Sequence, residues 1–479
     1  MQHTLRYLFL IFWLFSCAPT SSEEVVNVEL ISDRIFYDVR ADQVLVEGSV
    51  TAGNLFTVEG SKVEISDIEV TDWGHALFIS SVSNIDEVVL TDALDFTENP
   101  ENSSSQFLSM FPGLNAQATY YIRTYAQYEG QNAPVFSEEE SFSISTLAQV
   151  NYWDPNPITF EGETRTAPIS FGIGDQAFIG TGFQNSEVGE NINLNDLWQY
   201  DTDSESWRQI NVDPDFEGRS NALAVTIGNS AYIGLGIQTL GTTTSPLSYN
   251  PLNDFWEYNP VGNSWNELRP FPGNTSGGHI AVTIDDKAYI GMGTVISDEG
   301  SFSLSGEFYE YNSSTDEWTE KADFPFDLRS GAIAFGIGTK IYYGLGSRRI
   351  EGPSIGDGFS YLNDFYEYDT ETDSWRQLND LPIRYRRTEA SSFAVNGKGY
   401  VMAGRTSLLN GEIFEDFLTY DPETDSWTQL EDIPGGATYN NNLAVLNDRV
   451  MLGLGSISRF FGGASNKELY FYFPYISSN

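Results

Sequence analysis

A chain of 479 residues is too long for one ordinary hydrophobic core and is expected to form two or more domains. Its 68 Asp and Glu against 24 Lys and Arg leave a formal charge of −44, which argues against nucleic-acid partners, because that affinity rests on basic patches that release counterions. With 14% aromatic residues, 43 Gly and 19% charged residues, the balance favours a β-rich globular chain over disorder or long helices.

The chain begins "MQHTLRYLFLIFWLFSCAPTSSEE", with one Arg, an apolar run from Tyr7 to Phe15 and then small residues. This is the layout of a secretory signal over residues 1–16, too short for a stable membrane span. Leu14-Phe15-Ser16-Cys17 resembles the bacterial lipobox, which implies that Cys17 becomes the first mature residue and is acylated. Cys17 is the single Cys of the sequence, so an exported mature chain would hold no disulfide. Several acyl chains at about 0.8 kcal/mol per buried CH₂ would anchor the protein on a membrane. Residues 17–24 form a polar tether ending in Glu23 and Glu24, an acidic pair that resembles the surface-export signal of Bacteroidetes-like lipoproteins and implies an outward-facing place on the outer membrane.

From residue 25 to 147, short alternating runs such as "VLVEGSV", "ALFISSV" and "ATYYIRTYAQY" are separated by turn-rich pieces, a pattern that predicts a β-sandwich. The phrase "GLNAQATYYIRTYAQYEG" followed by "SFSIST" resembles the last two strands of a fibronectin type III domain, with Leu114 and Tyr120 at the places of its corner residues. Trp73 and His75 read as structural, and the segment reads as a spacer without catalytic groups.

Residues 150–479 repeat one unit. Trp recurs at 153, 207, 265, 318, 375 and 427, and in five cases a Tyr stands seven residues earlier, as in "YDTETDSW" and "YDPETDSW". Four short strands per unit, repeated about every 55 residues, predict a β-propeller. The hairpins "NDLWQYDTDSESW", "NDFWEYNPVGNSW" and "EDFLTYDPETDSW" resemble kelch repeats, although Gly180 and Gly182 and their counterparts are spaced where that family carries adjacent glycines. The fifth unit, "YVMAGRT", keeps only Gly404. The sixth unit ends with Tyr472 and no following Trp, so Trp153 is expected to supply its outermost strand. The fold expected is all-β: a fibronectin type III-like β-sandwich, then a six-bladed kelch-type β-propeller closed by an N-terminal strand at Trp153 in the last blade.

Propellers bind at the mouth of the central channel, on loops between strands. A polar residue precedes the first strand of each unit: Arg165, Arg219, His279 in "TSGGHIAV", Arg329, Arg386 and Arg387 with Glu389, and Tyr439. Three readings compete for this ring: ion pairs with nearby acids or carbonyls between blades, a site for an anionic or polyhydroxylated ligand, and catalysis. Galactose-oxidase-like copper chemistry needs several His and a Tyr linked to Cys, yet His279 is the only His of this region and Cys17 lies in the leader. The same shortage opposes zinc, and "DTDSES" lacks the Gly and the distal Glu of an EF-hand. No phosphate loop, nucleophile elbow or sialidase phrase occurs, and no cofactor is expected. The resemblance leaves one enzymatic alternative, a sialic-acid mutarotase using Glu389 and Arg387 as an acid and base pair. The expectation is non-catalytic binding of a glycan or another envelope protein at the cell surface.

Overall fold

The computed structural model describes residues 27–38, 43–53, 56–58, 61–63, 70–78, 104–112, 120–128, 135–136, 140–143, 147–185, 191–241, 248–274, 277–296, 301–350, 358–406, 411–456 and 467–474. The signal segment, Cys17, the acidic tether and Leu114 lie outside the described residues. Two compact units divide the chain, Met1–Ala148 and Gln149–Asn479. No helix among the described residues is long and apolar enough to cross a membrane.

In the first unit, Gln43–Gly53 runs antiparallel between Asn27–Asp38 and Ser104–Pro112. A second antiparallel sheet joins Val70–Phe78 to Tyr120–Tyr128, which also pairs with Glu140–Phe142. Tyr120 is buried and stacks on Phe142 at 5.8 Å between ring centroids.

Among the described residues, the second unit contains six antiparallel sheets of the same design, the blades of a propeller. Blade 1 runs Ile169–Ile173, Gln176–Gly180, Leu197–Asp201 and Ser206–Ile210. Blade 2 spans Leu223–Ile227 to Ser264–Leu268, blade 3 Ile280–Ile284 to Glu317–Glu320, blade 4 Ile333–Ile337 to Ser374–Gln377, and blade 5 Ser391–Val395 to Ser426–Gln429. Blade 6 takes Asn442–Val445, Val450–Gly453 and Glu468–Phe473 from the end of the chain, and Tyr152–Trp153 pairs with its third strand. Trp153 faces Tyr472 across that seam, the register in which Trp207 faces Tyr200 and Trp375 faces Tyr368. The sequence count of six and the closing role of Trp153 therefore match the sheet topology. Ile158–Thr159 pairs farther along the same strand, so the seam has two short contacts in place of one strand.

The inner strands alternate buried and half-buried residues, so one side packs between blades and the other turns toward the axis. Their axial positions are small, and hydroxyls link neighbouring blades: Thr226 Oγ1 donates to the Gly172 carbonyl at 2.9 Å and Thr283 Oγ1 to that of Thr226 at 3.0 Å. Apolar clusters fill the wedges between blades, for example Ile280, Val282 and Phe308 of blade 3 against Ile341, Tyr343 and Tyr368 of blade 4.

Because successive strands are antiparallel, the segment leading into each inner strand and the loop joining second to third strand share one end of the propeller. That end, called here the upper face, carries extra hairpins: Phe183–Asn185 with Asn191–Asn193, Ile237–Leu240 with Ser248–Pro251, and Ser347–Arg349 with Phe359–Tyr361. In blade 3 the strands Lys287–Ile296 and Phe302–Asn312 themselves run on past a bulge at Gly291/Gly293. Tight turns occupy the other face. There the Asp or Asn after each Tyr caps its turn as expected, with Asp369 Oδ1 accepting from Glu371 N at 2.9 Å and Asn312 Oδ1 from Ser314 N at 2.9 Å.

Candidate functional site

The segment before each inner strand brings a residue with left-handed backbone to the channel mouth: Ala167, Asn221, Gly278, Gly331, Glu389 and Asn440, with φ from 50° to 61°. Backbone bonds carry the ring from blade to blade, Asn221 N to the Ala167 carbonyl at 3.1 Å, Glu389 N to Gly331 at 2.9 Å and Asn440 N to Glu389 at 3.0 Å. Glu389 is the one ionisable member of these six.

The arginines of the sequence ring stand two residues earlier, and their side chains are wholly buried. Arg165, Arg219, Arg329 and Arg387 each make a two-pronged pair with the Asp that opens the third strand of the same blade, Asp196, Asp254, Asp364 and Asp416. Nη2 to Oδ2 distances are 2.7 to 2.8 Å. Each Nη1 also donates to the carbonyl after the second strand, as Arg387 does to Ala403 at 2.9 Å, and each Nε to a carbonyl two residues before, as Arg219 does to Glu217 at 2.8 Å. An aromatic ring closes one face of the guanidinium, Phe216 at 4.3 Å from Arg219 and Phe414 at 4.0 Å from Arg387. With donors on all three nitrogens committed and no solvent exposure, these four side chains fasten their own blades and do not present themselves at an opening. The pairs lie within blades; between blades the contact is the Arg carbonyl, which accepts from Gly182 N for Arg219 and from Gly346 N for Arg387, at 2.7 and 2.8 Å.

His279 has a sealed Nδ1 without a hydrogen-bond partner among the described residues, and burial pushes its imidazole down to about 4. It is therefore neutral at physiological pH. Arg386 is exposed on the upper face, whereas Tyr439 is buried with its ring 4.0 Å from the Arg405 guanidinium.

Arg405 was not among the residues expected from the sequence, and it is what distinguishes blade 5. It occupies the place of Phe183, Ile237, Thr294, Ser347 and Ser456, all defined by equivalent backbone bridges. Its Nε donates to Glu389 Oε2 at 2.5 Å and its Nη2 to Oε1 at 3.0 Å. The arginine is buried, while 21% of the Glu389 side chain remains exposed at the mouth. Thus Glu389 pairs with Arg405, and Arg387, its partner in the sequence reading, holds Asp416 instead. The divergent "YVMAGRT" was the available signal: a cation directly after Gly404, where the other units place an uncharged residue. Near this pair, Ser391 and Asn442 replace the Ile or Leu that begins the inner strand in blades 1 to 4. Both are buried, and it is the partly exposed Glu389 that offers carboxylate oxygens at the mouth as acceptors for hydroxyl groups. Among the described residues no three His, Cys, Asp or Glu side chains converge as metal ligands.

Residues 386–434, covering blade 5, match the kelch motif. The chain is 26% identical over 190 residues to the kelch-like protein terF of Aspergillus terreus, covering 39% of this chain and 40% of that protein. It is 24% identical over 257 residues to the N-acetylneuraminate epimerase of Pasteurella multocida, covering 47% of this chain and 63% of the relative. The chain thus spans less than two thirds of either relative. Among solved structures, "Structure of YjhT" superposes with a TM-score of 0.51 at 15% identity, over 66% of this chain and 96% of the other, a likeness of fold. The sheet topology shows a six-bladed propeller, and its fifth blade carries the kelch motif.

Proposed function

We propose, from the premise of a six-bladed propeller with a kelch motif, that the protein is a non-catalytic binding platform anchored to the outer membrane through a lipid on Cys17. In this reading residues 17–24 are the tether, residues 25–147 a fibronectin type III-like spacer, and the upper face of the propeller recognises a glycan or another envelope protein. The observation that supports it best is the difference between the two faces. Among the described residues, five of the seven exposed large apolar side chains, Leu240, Phe302, Phe326, Ile350 and Ile383, lie on upper-face hairpins or connections, where Phe302 meets Tyr249 edge to face at 6.0 Å, against Val261 and Val445 on the other face. Exposed apolar side chains more numerous on the face that carries the hairpins, beside the Glu389 carboxylate at the mouth, fit recognition better than a solvated wall. Pulldown from detergent-solubilised membranes and a glycan array should each be tried with the wild type and with Phe302→Ala. Capture by the wild type that falls at least roughly tenfold in the variant is expected, the loss of a buried aromatic contact at an interface. Empty results in both assays would sink the reading.

The second reading, a carbohydrate-active enzyme of the sialic-acid mutarotase type, draws on Glu389 at the mouth and on the likeness to N-acetylneuraminate epimerases. Its weakness is the two-pronged bond to Arg405, which occupies both carboxylate oxygens of Glu389. Anomer exchange of N-acetylneuraminate followed by NMR should run no faster with the protein than in buffer. Acceleration that disappears in Glu389→Gln would replace the binding reading with the enzymatic one.

A further inference from the structure

We propose that the upper face of blades 4 and 5 is a docking surface for a carboxylate-bearing polysaccharide strand, held by Arg348, Arg349, Arg384 and Arg386. The inference rests on the binding reading above and names the chemical class of the ligand.

Cations are scarce in this chain, 24 against 68 acids, and their placement is uneven. Arg165, Arg219, Arg329, Arg387 and Arg405 are buried in ion pairs. On the lower face, Lys287, Lys340 and Lys398 begin their second strands and pair with acids at or near the end of the third, Glu310, Asp369 and Asp421. The four arginines of the upper face are arranged otherwise. Arg348 meets Asp327 at 2.8 Å, with both side chains about half exposed. Arg384 lies over the Tyr385 ring at 4.4 Å and donates to its hydroxyl. Arg349 and Arg386 are exposed, and among the described residues neither has an acidic partner within ion-pair distance.

Two elements carry these residues, and the backbone holds them side by side. Arg348 and Arg349 lie on Ser347–Arg349, the first strand of the blade 4 hairpin, and Arg384 and Arg386 on the turn Ile383–Tyr385 and the residue after it. Gly346 N donates to the Arg387 carbonyl at 2.8 Å, and Ser347 Oγ lies 3.5 Å from Thr388 Oγ1, so the root of the hairpin rests on the second segment. Ile350 and Ile383 flank the arginines and are exposed, which adds apolar contact beside the charge.

Exposed guanidiniums are forks that fit carboxylates two-pronged, and four of them on adjoining elements match a ligand with carboxylates at repeated intervals. A polysaccharide is favoured over an acidic protein by range. Charges interact over about 8 Å at physiological ionic strength, so a strand one sugar wide senses the arginines together with Asp327, whose charge Arg348 already offsets, whereas a second acidic globule would set its surface against the remaining acids of this chain.

Binding of tetragalacturonate to the full chain should be measured by calorimetry at about 20 mM and about 200 mM NaCl, with uncharged dextran oligomers as the neutral probe. We expect affinity that weakens with salt, falls roughly tenfold or more in Arg349→Ala/Arg386→Ala, and is unchanged in Lys398→Ala on the opposite face. Melting temperatures of the variants, expected to match the wild type because the substituted side chains are exposed, verify that the fold is kept. Equal affinity in the double variant, or no binding of tetragalacturonate by the wild type, overturns the proposal, as does an Arg-dependent preference for a polyglutamate peptide. If dextran or a membrane protein is captured while tetragalacturonate is ignored, the polyanion inference fails and the binding platform stands. If nothing is captured, both fail.

Discussion

Asp364 shows what a single residue contributes to a blade. Burial alone would push its carboxyl up, but the hydrogen bonds and charge of Arg329 outweigh that, and the group is held below the usual carboxylate range. A carboxylate whose folded pKa is depressed contributes stability above its unfolded pKa of about 3.9, and the contribution is lost as pH falls through the folded value. Asp364→Asn should therefore flatten the acid limb of a melting-temperature profile below about pH 4, while lowering stability at neutral pH. Asp364→Ala leaves the buried Arg329 charge uncompensated and should cost about 3–5 kcal/mol in urea unfolding, whereas Arg329→Met/Asp364→Leu should cost less because no charge is stranded. The small residues beside these pairs have a steric reason: a Cβ on Gly344 would lie 2.5 Å from the Asp364 carbonyl oxygen and one on Gly234 2.3 Å from that of Asp254. The recurring glycines were legible in the sequence as part of the repeat. What crowds them was not, because each Asp stands 29 to 35 residues from its Arg in blades 1, 2, 4 and 5, a separation without periodic signature.

The outer hairpin of blades 3, 4 and 5 does more than pack Tyr against Trp. In "YDTETDSW" the Tyr368 hydroxyl donates to Asp373 at 2.6 Å, and Asp373 also accepts from Ala322 N, on the connection leaving the preceding blade, at 2.8 Å. The Trp375 indole returns a bond to the Ala322 carbonyl at 2.9 Å. Blades 3 and 5 repeat the latch with Asp316 against Arg269 N and Asp425 against Asn379 N, and Tyr311 and Tyr420 complete it. Asp373→Ala removes the acceptor for two donors and should cost about 1–3 kcal/mol, more than Tyr368→Phe, as read by chemical denaturation. Blade 6 is assembled from both ends of the unit, with the Trp153 ring 5.1 Å from Tyr472 and 5.5 Å from Phe417. Trp153→Ala should therefore cost about 3 kcal/mol and destabilise the propeller in a single transition, since the seam closes the ring. The Tyr–Trp spacing made this element readable in advance; the Asp latch between blades needed the neighbouring blade in place.

At the scale of the whole molecule, a charge of −44 repels itself in the compact state. Raising NaCl from about 10 mM to about 150 mM shortens the screening length and should raise the melting temperature, because the buried Arg–Asp pairs are shielded from salt and the surface acids are not. A flat or falling melting temperature in differential scanning fluorimetry would show that surface ion pairs outweigh the repulsion. The sequence by itself determined the β class, the number of blades and the closing partner of Trp153, because each follows from counting residues or from short local spacings. Only the tertiary structure decided which arginines are spent inside blades, which acid Arg405 holds and which arginines are exposed on the upper face. Those outcomes depend on burial and on partners distant in the chain, and a side chain's charge is worth something different once water has been removed from around it.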